Sequence, residues 1–261
     1  MNYSLQNFAG IPLHMDRLAV ESQISSPRSR QEPASGWLED FLADQLKHLS
    51  VSFDRATGVA EFSISGTMWK GASQLEEYCY SLYNTDRIAS NMAEIGAMKG
   101  VNQVMVTINT PGGMARGTRE AAQSILSFRE RTKTAVNAYI PNIGASAGYY
   151  VAAACSSIGA HPAALVGSIG TMAVAVDSSG YFEKAGFKFT LYTGGADLKG
   201  MGSTGIEWTK AWHEKLKSSV EELRGEFVAF VKANRPGIGE DSFRGDAFEA
   251  RKAPRGMLDF Q

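Results

Sequence analysis

Ser146 stands in Gly144-Ala145-Ser146-Ala147-Gly148-Tyr149-Tyr150, among neighbours too small to shield a hydroxyl. Such a serine attacks a carbonyl when a base takes its proton and fixed donors hold the oxyanion that forms. The small residues Val151 to Ala154 continue the run as a helix. Ser146 then sits at a helix N-terminus, where free N–H groups and partial positive charge favour an oxyanion. Serine is also a preferred N-cap, so the sequence leaves both roles open. A second patch, Asn109-Thr110-Pro111-Gly112-Gly113, closes the β-branched run Val104–Ile108. Its glycines admit φ > 0 and leave backbone N–H groups without side-chain cover, which suits an oxyanion hole and equally suits a plain strand-to-helix turn. A third, Gly194 to Ser203, is a glycine-rich loop carrying Lys199. A lysine pushed into apolar surroundings loses its proton more readily, because burial disfavours the charge, and can then serve a serine as base.

These patches need a frame. Val59–Ser65 alternates as a strand does, residues 85–99 put Ile88, Met92 and Ile95 on one helix face, and Val104–Ile108 is a strand. A helix is expected from about 115 to 131, a strand at Ala135–Ile140, and a loop from there to Ser146. Further strands are expected near 157–160, 171–176 and 188–192. This alternation predicts an α/β fold with a mostly parallel sheet and covering helices. Trp212, Leu216, Val220, Leu223, Phe227 and Val231 trace one stripe of a helix over 206–233, ended by Pro236-Gly237. Residues 1–50 read as an N-terminal arm and linker, and 51–261 as the main domain. Ser25–Gly36 is linker by composition, and Trp37, Leu38, Phe41, Leu42 and Leu46 mark a helical arm over 37–48 that packs either on its own domain or on a neighbouring subunit.

Composition narrows the function. The net charge of −1 gives no basic footprint for nucleic acid. The two cysteines, Cys79 and Cys155, show no metal-ligand spacing and are expected to be buried, inert thiols. Met1 to Val20 lacks the pattern of an export signal, and no stretch is apolar for the roughly 20 residues of a membrane helix. A protein without a membrane anchor, located in the cytoplasm, is expected.

In order and spacing the patches resemble the signal peptide peptidase A family of serine peptidases, including phage relatives that process capsid assemblies. The resemblance runs from the strand at 59–66 through Asn109–Gly113, residues 144–153, Ala160-His161-Pro162 and Gly167-Ser168-Ile169-Gly170 to the Lys199 loop. It ends with Phe243–Phe248 and Gly256-Met257-Leu258-Asp259. It implies a crotonase- or Clp-protease-like fold in which Ser146 is the nucleophile, Lys199 the general base, and Ser168 the group that aligns the lysine amine. The N–H groups of Gly113 and Ala147 would hold the oxyanion, with Gly112 shaping the turn. Where the family often has glycine after the nucleophile this chain has Ala147, which keeps its N–H and narrows the site. The family's acidic residue after the lysine is replaced by Gly200. Of the upstream alternatives, Lys188 reads as strand and Lys184 as a solvated helix position. A polypeptide substrate, no cofactor or metal, and a homo-oligomer, closed as a ring, are implied. The soluble phage or prophage branch, associated with the prohead, is the expected setting. Gln261 falls just past the closing segment, where no room for a fused scaffold is expected.

Three other readings stand beside this one. Gly144–Gly148 also satisfies the GxSxG of α/β-hydrolase esterases, and Asp177 or Asp197 and then His213 follow in that fold's order. Against it, Pro141-Asn142-Ile143 is expected to separate the strand from the serine. Acyl-CoA chemistry on the same fold needs a carboxylate near the hole, and no Asp or Glu lies between 131 and 176. The last reading is a non-catalytic assembly protein that kept a protease's shell.

Overall fold

The structure, a computed structural model, describes residues 36–195 and 197–260. Most of the expected linker, the segment Met1–Val20 and His14 lie outside the described residues. Contacts group the chain into two units. The smaller takes Met172–Glu222, and the larger takes residues 36–171 and those from Leu223 onward.

In the larger unit, α1 (Trp37–Gln45) leads through a 3₁₀ turn at Lys47–Leu49 to β1 (Ser52–Asp54) and β2 (Val59–Ser65). There follow β3 (Thr67–Trp69), α2 (Gln74–Tyr80), β4 (Leu82–Asn84), α3 (Asp86–Ala97), β5 (Gln103–Asn109) and α4 (Thr118–Thr132). Then come β6 (Ala135–Ile140), β7 (Ile143–Ala145), α5 (Ala147–Ala153), β8 (Ser157–Ala160) and β9 (Leu165–Gly167). The smaller unit holds α6 (Ser179–Lys184) and the 3₁₀ turn Asp197–Gly200. Helix α7 (Lys210–Asn234) begins there and ends in the larger unit, which closes with β10 (Ala247–Glu249).

The central sheet has the order β1-β2-β5-β6-β8, parallel except for the β1 edge. Register sets Phe62, Val106, Ala138 and Ile158 in one row, all buried. Because side chains alternate across a strand, Ala60, Ile64, Val104, Ile108, Val136 and Ile140 share that face. Onto it pack Ile88, Met92 and Ile95 of α3, Ala121, Ala122, Ile125 and Phe128 of α4, and all of α5. The result is an α/β fold with a mainly parallel sheet.

Several local expectations change. Helix α1 packs on its own unit: Leu42, Leu46 and Leu49 are buried, and Asn91 Nδ2 donates to the Leu49 carbonyl at 3.2 Å. Residues 171–176 and 188–192 belong to no strand among the described residues, although they alternate. Lys188 is therefore outside any strand, whereas Lys184 is an exposed helix residue, as expected. Two short sheets, β3-β4 and β10-β9-β7, are additions that strands of three residues did not announce in the sequence. Capping explains α2: the Ser73 side chain accepts from the Glu76 N–H, and the Glu76 carboxylate accepts from the Ser73 N–H and hydroxyl.

The cysteines also divide. Cys155 is buried, and desolvation pushes its thiol up to about 12; Cys79 is exposed, correcting the expectation that both are buried. A thiol reagent at pH 8 is expected to modify Cys79 in the native protein and Cys155 only after unfolding, which peptide mapping checks. The sign on stability follows. Folding holds Cys155 neutral above its unfolded pKa of roughly 8.5, so its contribution is full below that pH and is lost as pH rises toward about 12.

Candidate functional site

The carboxyl ends of the parallel strands are where an α/β sheet presents its loops, and β5 delivers residues 109–113 there. A ladder fixes that turn to the Ser146 segment. The Thr110 N–H donates to the Ile143 carbonyl at 2.8 Å, and the Ala145 N–H donates to the Thr110 carbonyl at 3.1 Å. On the other side, the Met68 N–H donates to the Gly112 carbonyl (2.7 Å) and the Met114 N–H to the Met68 carbonyl (2.9 Å). In such a parallel bridge the residue between these two bonds, Gly113, turns its own N–H and C=O away from Met68. The Gly113 N–H is thereby left out of this pairing.

Behind β3 lies a clamp. Arg87 donates through Nε and Nη2 to the two oxygens of buried Glu77, both at 2.7 Å, and the Asn84 N–H donates to Glu77 Oε1 at 2.9 Å. It anchors β4, and through it β3 and Met68, with the strength of a bidentate pair.

Ser146 joins β7 directly to α5. Its backbone has φ 51° and ψ −121°, a conformation costly for any residue with a Cβ. The Ser146 N–H donates to the Gly167 carbonyl at 2.8 Å, and its carbonyl accepts from the Tyr150 N–H at 2.9 Å. Although it occupies the N-cap position, its side chain makes no capping bond. The hydroxyl is thus not spent on the helix, and the capping role is set aside. Ala147, first residue of α5, has an N–H with no intrahelical acceptor.

Gly112, at φ 110°, brings turn and serine together. A Cβ built there would lie 2.6 Å from the Ser146 Cβ and 3.0 Å from the Ala147 nitrogen. Gly112→Ala is therefore expected to cost about 2 kcal/mol or more in stability and to displace Ser146. Thermal unfolding of the purified variant measures the first effect, and reactivity of the serine the second.

Ser168, also at φ 51°, follows the Gly167 that accepts from Ser146, and its N–H donates to the Asp246 carbonyl at 2.7 Å. That bond extends the β9–β10 pairing. The closing segment locks the floor of the site: Tyr149 donates its hydroxyl to the Met257 carbonyl at 2.9 Å, and Asp259 Oδ2 accepts from the Ile158 N–H and from Arg235. Burial raises the Tyr149 phenol above its ordinary range. Tyr150 stacks on Phe230 of α7, with ring centroids 4.1 Å apart.

The larger unit therefore gathers Gly112, Gly113, Ser146, Ala147 and Ser168. Lys199 belongs to the smaller unit, exposed on the 3₁₀ turn Asp197–Gly200. Asp177 and His213 belong to that unit too. Asp177 accepts through Oδ1 from the Ser179 N–H and hydroxyl and through Oδ2 from the Trp208 N–H. These bonds, with a smaller contribution from nearby His213, hold its carboxyl below the usual range. Sequence reading passed over Met68 and the backbone of Thr110; both act through main-chain bonds, which side-chain identity does not signal. It also missed β7. Strand, serine and helix are contiguous, so the context of a nucleophile elbow, expected to be absent, is present.

Residues 128–247 match the model of peptidase family S49. Among similar proteins, the Na(+)/H(+) antiporter NhaA of Brucella melitensis biotype 1 is 28% identical over 202 residues, 77% of this chain and 27% of that protein. The putative signal peptide peptidase SppA of Enterococcus faecium is 27% identical over 178 residues, 68% of this chain and 51% of that one. Capsid assembly protease C of Escherichia phage lambda is 27% identical over 182 residues, 70% and 40% of the two chains. The chain thus spans between 27% and 51% of the length of these relatives. Among the described residues no helix is long and apolar enough to cross a membrane. Motifs, family model and peptidase-named relatives point the same way: residues 128–247 are similar to peptidase family S49, and the similar proteins include peptidases.

Proposed function

We propose that this chain is a serine endopeptidase on a crotonase- or Clp-protease-like version of its α/β fold, with Ser146 as nucleophile and Lys199 as general base. The observation that carries the reading is the Ser146 junction: a strained backbone, a hydroxyl free of capping, and a glycine turn pressed against its Cβ. Lys199 takes the proton as Ser146 attacks a peptide carbonyl, and the N–H groups of Gly113 and Ala147 receive the oxyanion. Ser168 aligns the amine. The acyl-enzyme forms as the lysine returns the proton to the leaving amine, and water then releases the acyl group. No metal or organic cofactor enters these steps.

Lys199 is exposed in the single chain, so the dehydrated pocket that a lysine base requires arises on assembly. The active form in this reading is a homo-oligomer, ring-closed, acting in the cytoplasm or with a phage head. Processing of head or scaffold proteins is proposed from the similarity to the phage lambda capsid assembly protease. The test is hydrolysis of an unstructured protein in the presence of a chelator, by the wild-type chain and by the variants treated in the Discussion.

One observation favours a second reading. Strand β7, Ser146 and α5 supply the context of GxSxG esterases, and Asp177 and His213 interact electrostatically. However, both Asp177 oxygens are engaged by Ser179 and Trp208, which suits a loop clamp better than a histidine orienter. Loss of activity in His213→Ala would favour the esterase.

A further inference from the structure

Two adjacent glycines in the turn after β5 carry N–H groups, and a side chain decides which of them faces the site. Along residues 110–114 the Thr110 N–H donates to the Ile143 carbonyl at 2.8 Å, and the Met114 N–H donates to the Met68 carbonyl at 2.9 Å. Pro111 has no N–H. The Gly112 N–H donates to Thr110 Oγ1 at 3.1 Å. Among the described residues the remaining N–H of this stretch is that of Gly113, turned away from Met68 in the parallel bridge. Without the threonine hydroxyl the turn would present two neighbouring donors, and nothing in the ladder would choose between them.

The same hydroxyl holds Gly112 at both of its polar groups. It accepts from the Gly112 N–H and donates to the Gly112 carbonyl at 3.2 Å, two roles that one hydroxyl fills at once. That carbonyl also accepts from the Met68 N–H at 2.7 Å, which uses its second lone pair. Thr110 is fully buried, so bulk water does not compete for these bonds. Its other branch meets α5: a Cβ built on Gly148 would lie 2.5 Å from Thr110 Cγ2. The methyl group therefore rests against the first turn of that helix, one residue past Ala147. One side chain touches both halves of the proposed oxyanion hole, the glycine turn through its hydroxyl and the helix through its methyl.

We propose that Thr110 is a positioning residue for the oxyanion hole: its hydroxyl ties down Gly112, so that the Gly113 N–H faces the carbonyl under attack. The proposal rests on Ser146 being the nucleophile. Two substitutions in the full chain separate the branches of the side chain. Thr110→Val keeps the methyl and loses the oxygen, whereas Thr110→Ser keeps the oxygen and loses the methyl. Labelling by a fluorophosphonate, which sets a phosphonyl oxygen in the oxyanion's place, is expected to slow by about 10–10²-fold in Thr110→Val, less than removal of a donor outright. Affinity for the unreacted probe should stay within about twofold. Thr110→Ser should label within about threefold of wild type; a threonine needed only for packing gives the reverse order. The wild-type protein supplies a reading that depends on no variant. Amide exchange followed by NMR should show Gly113 gaining protection when Ser146 is phosphonylated, with Gly112 protected before and after. Labelling of Thr110→Val at the wild-type rate, Thr110→Ser as the slower variant, or protection gained at Gly112 in place of Gly113 would overturn this proposal and leave Ser146 standing. A wild-type chain that takes up no probe at Ser146 would overturn both.

Discussion

Replacing Ser146 by alanine is expected to lower hydrolysis of casein by at least about 10⁴-fold, the scale on which a lost nucleophile is felt. The fold should survive. Ser146 is half-buried, its hydroxyl makes no capping bond, and removing it leaves no orphaned partner in the helix, so stability should move by less than about 1 kcal/mol. A sharper form of the prediction uses the strain at φ 51°. Ser146→Gly relieves that strain and is expected to raise stability by about 1 kcal/mol while abolishing activity. A residue kept in a costly conformation at the expense of stability is one whose side chain is wanted there. Casein turnover and thermal unfolding of the two variants measure both halves. Retained turnover in Ser146→Ala would end the serine mechanism, and an inactive wild-type chain would favour the assembly-protein reading.

The second large effect separates the two bases. Lys199→Ala is expected to lose about 10²–10⁴-fold in rate, the usual contribution of a general base, whereas His213→Ala should stay within about threefold of wild type. His213 lies on α7 with its ring 5.3 Å from that of Trp208, a packing position on a helix flank. An esterase-type triad gives the opposite pattern, and a metallopeptidase fails in chelator while both variants remain active without it. Mixing inactive Ser146→Ala and Lys199→Ala chains adds a further distinction. Partial recovery of turnover shows that serine and lysine of different copies cooperate, and no recovery shows that each copy uses its own.

Much of the frame was legible because its signals are local. Val59–Ser65 and Ala135–Ile140 alternate buried and outward residues and appear as strands within those bounds, and Ile88, Met92 and Ile95 face the core from α3. What the sequence concealed is non-local. Ile143–Ala145 is too short and too small to register as a strand, and it exists because β9 lies parallel to it. Residues 171–176 and 188–192 erred the other way: alternation marks a surface fit for pairing without saying whether a partner strand is present. Cys79 misled through its neighbours Tyr78 and Tyr80, apolar by type yet exposed like the cysteine itself. At the site, the residue types of Gly112, Gly113, Ser146 and Ser168 were readable. The positive φ of Ser146 and Ser168 was not, since serine carries no preference for it; it is imposed by bonds to Gly167 and Asp246 far along the chain.

The central claim is that Ser146 is the reactive serine of this chain. Labelling the wild-type protein with a fluorophosphonate probe, followed by mass spectrometric location of the adduct, tests it without any assumption about the natural substrate. The account predicts a single adduct on Ser146, lost in Ser146→Ala and greatly slowed in Lys199→Ala. An adduct on another serine, or a native protein that takes up no probe, would contradict it.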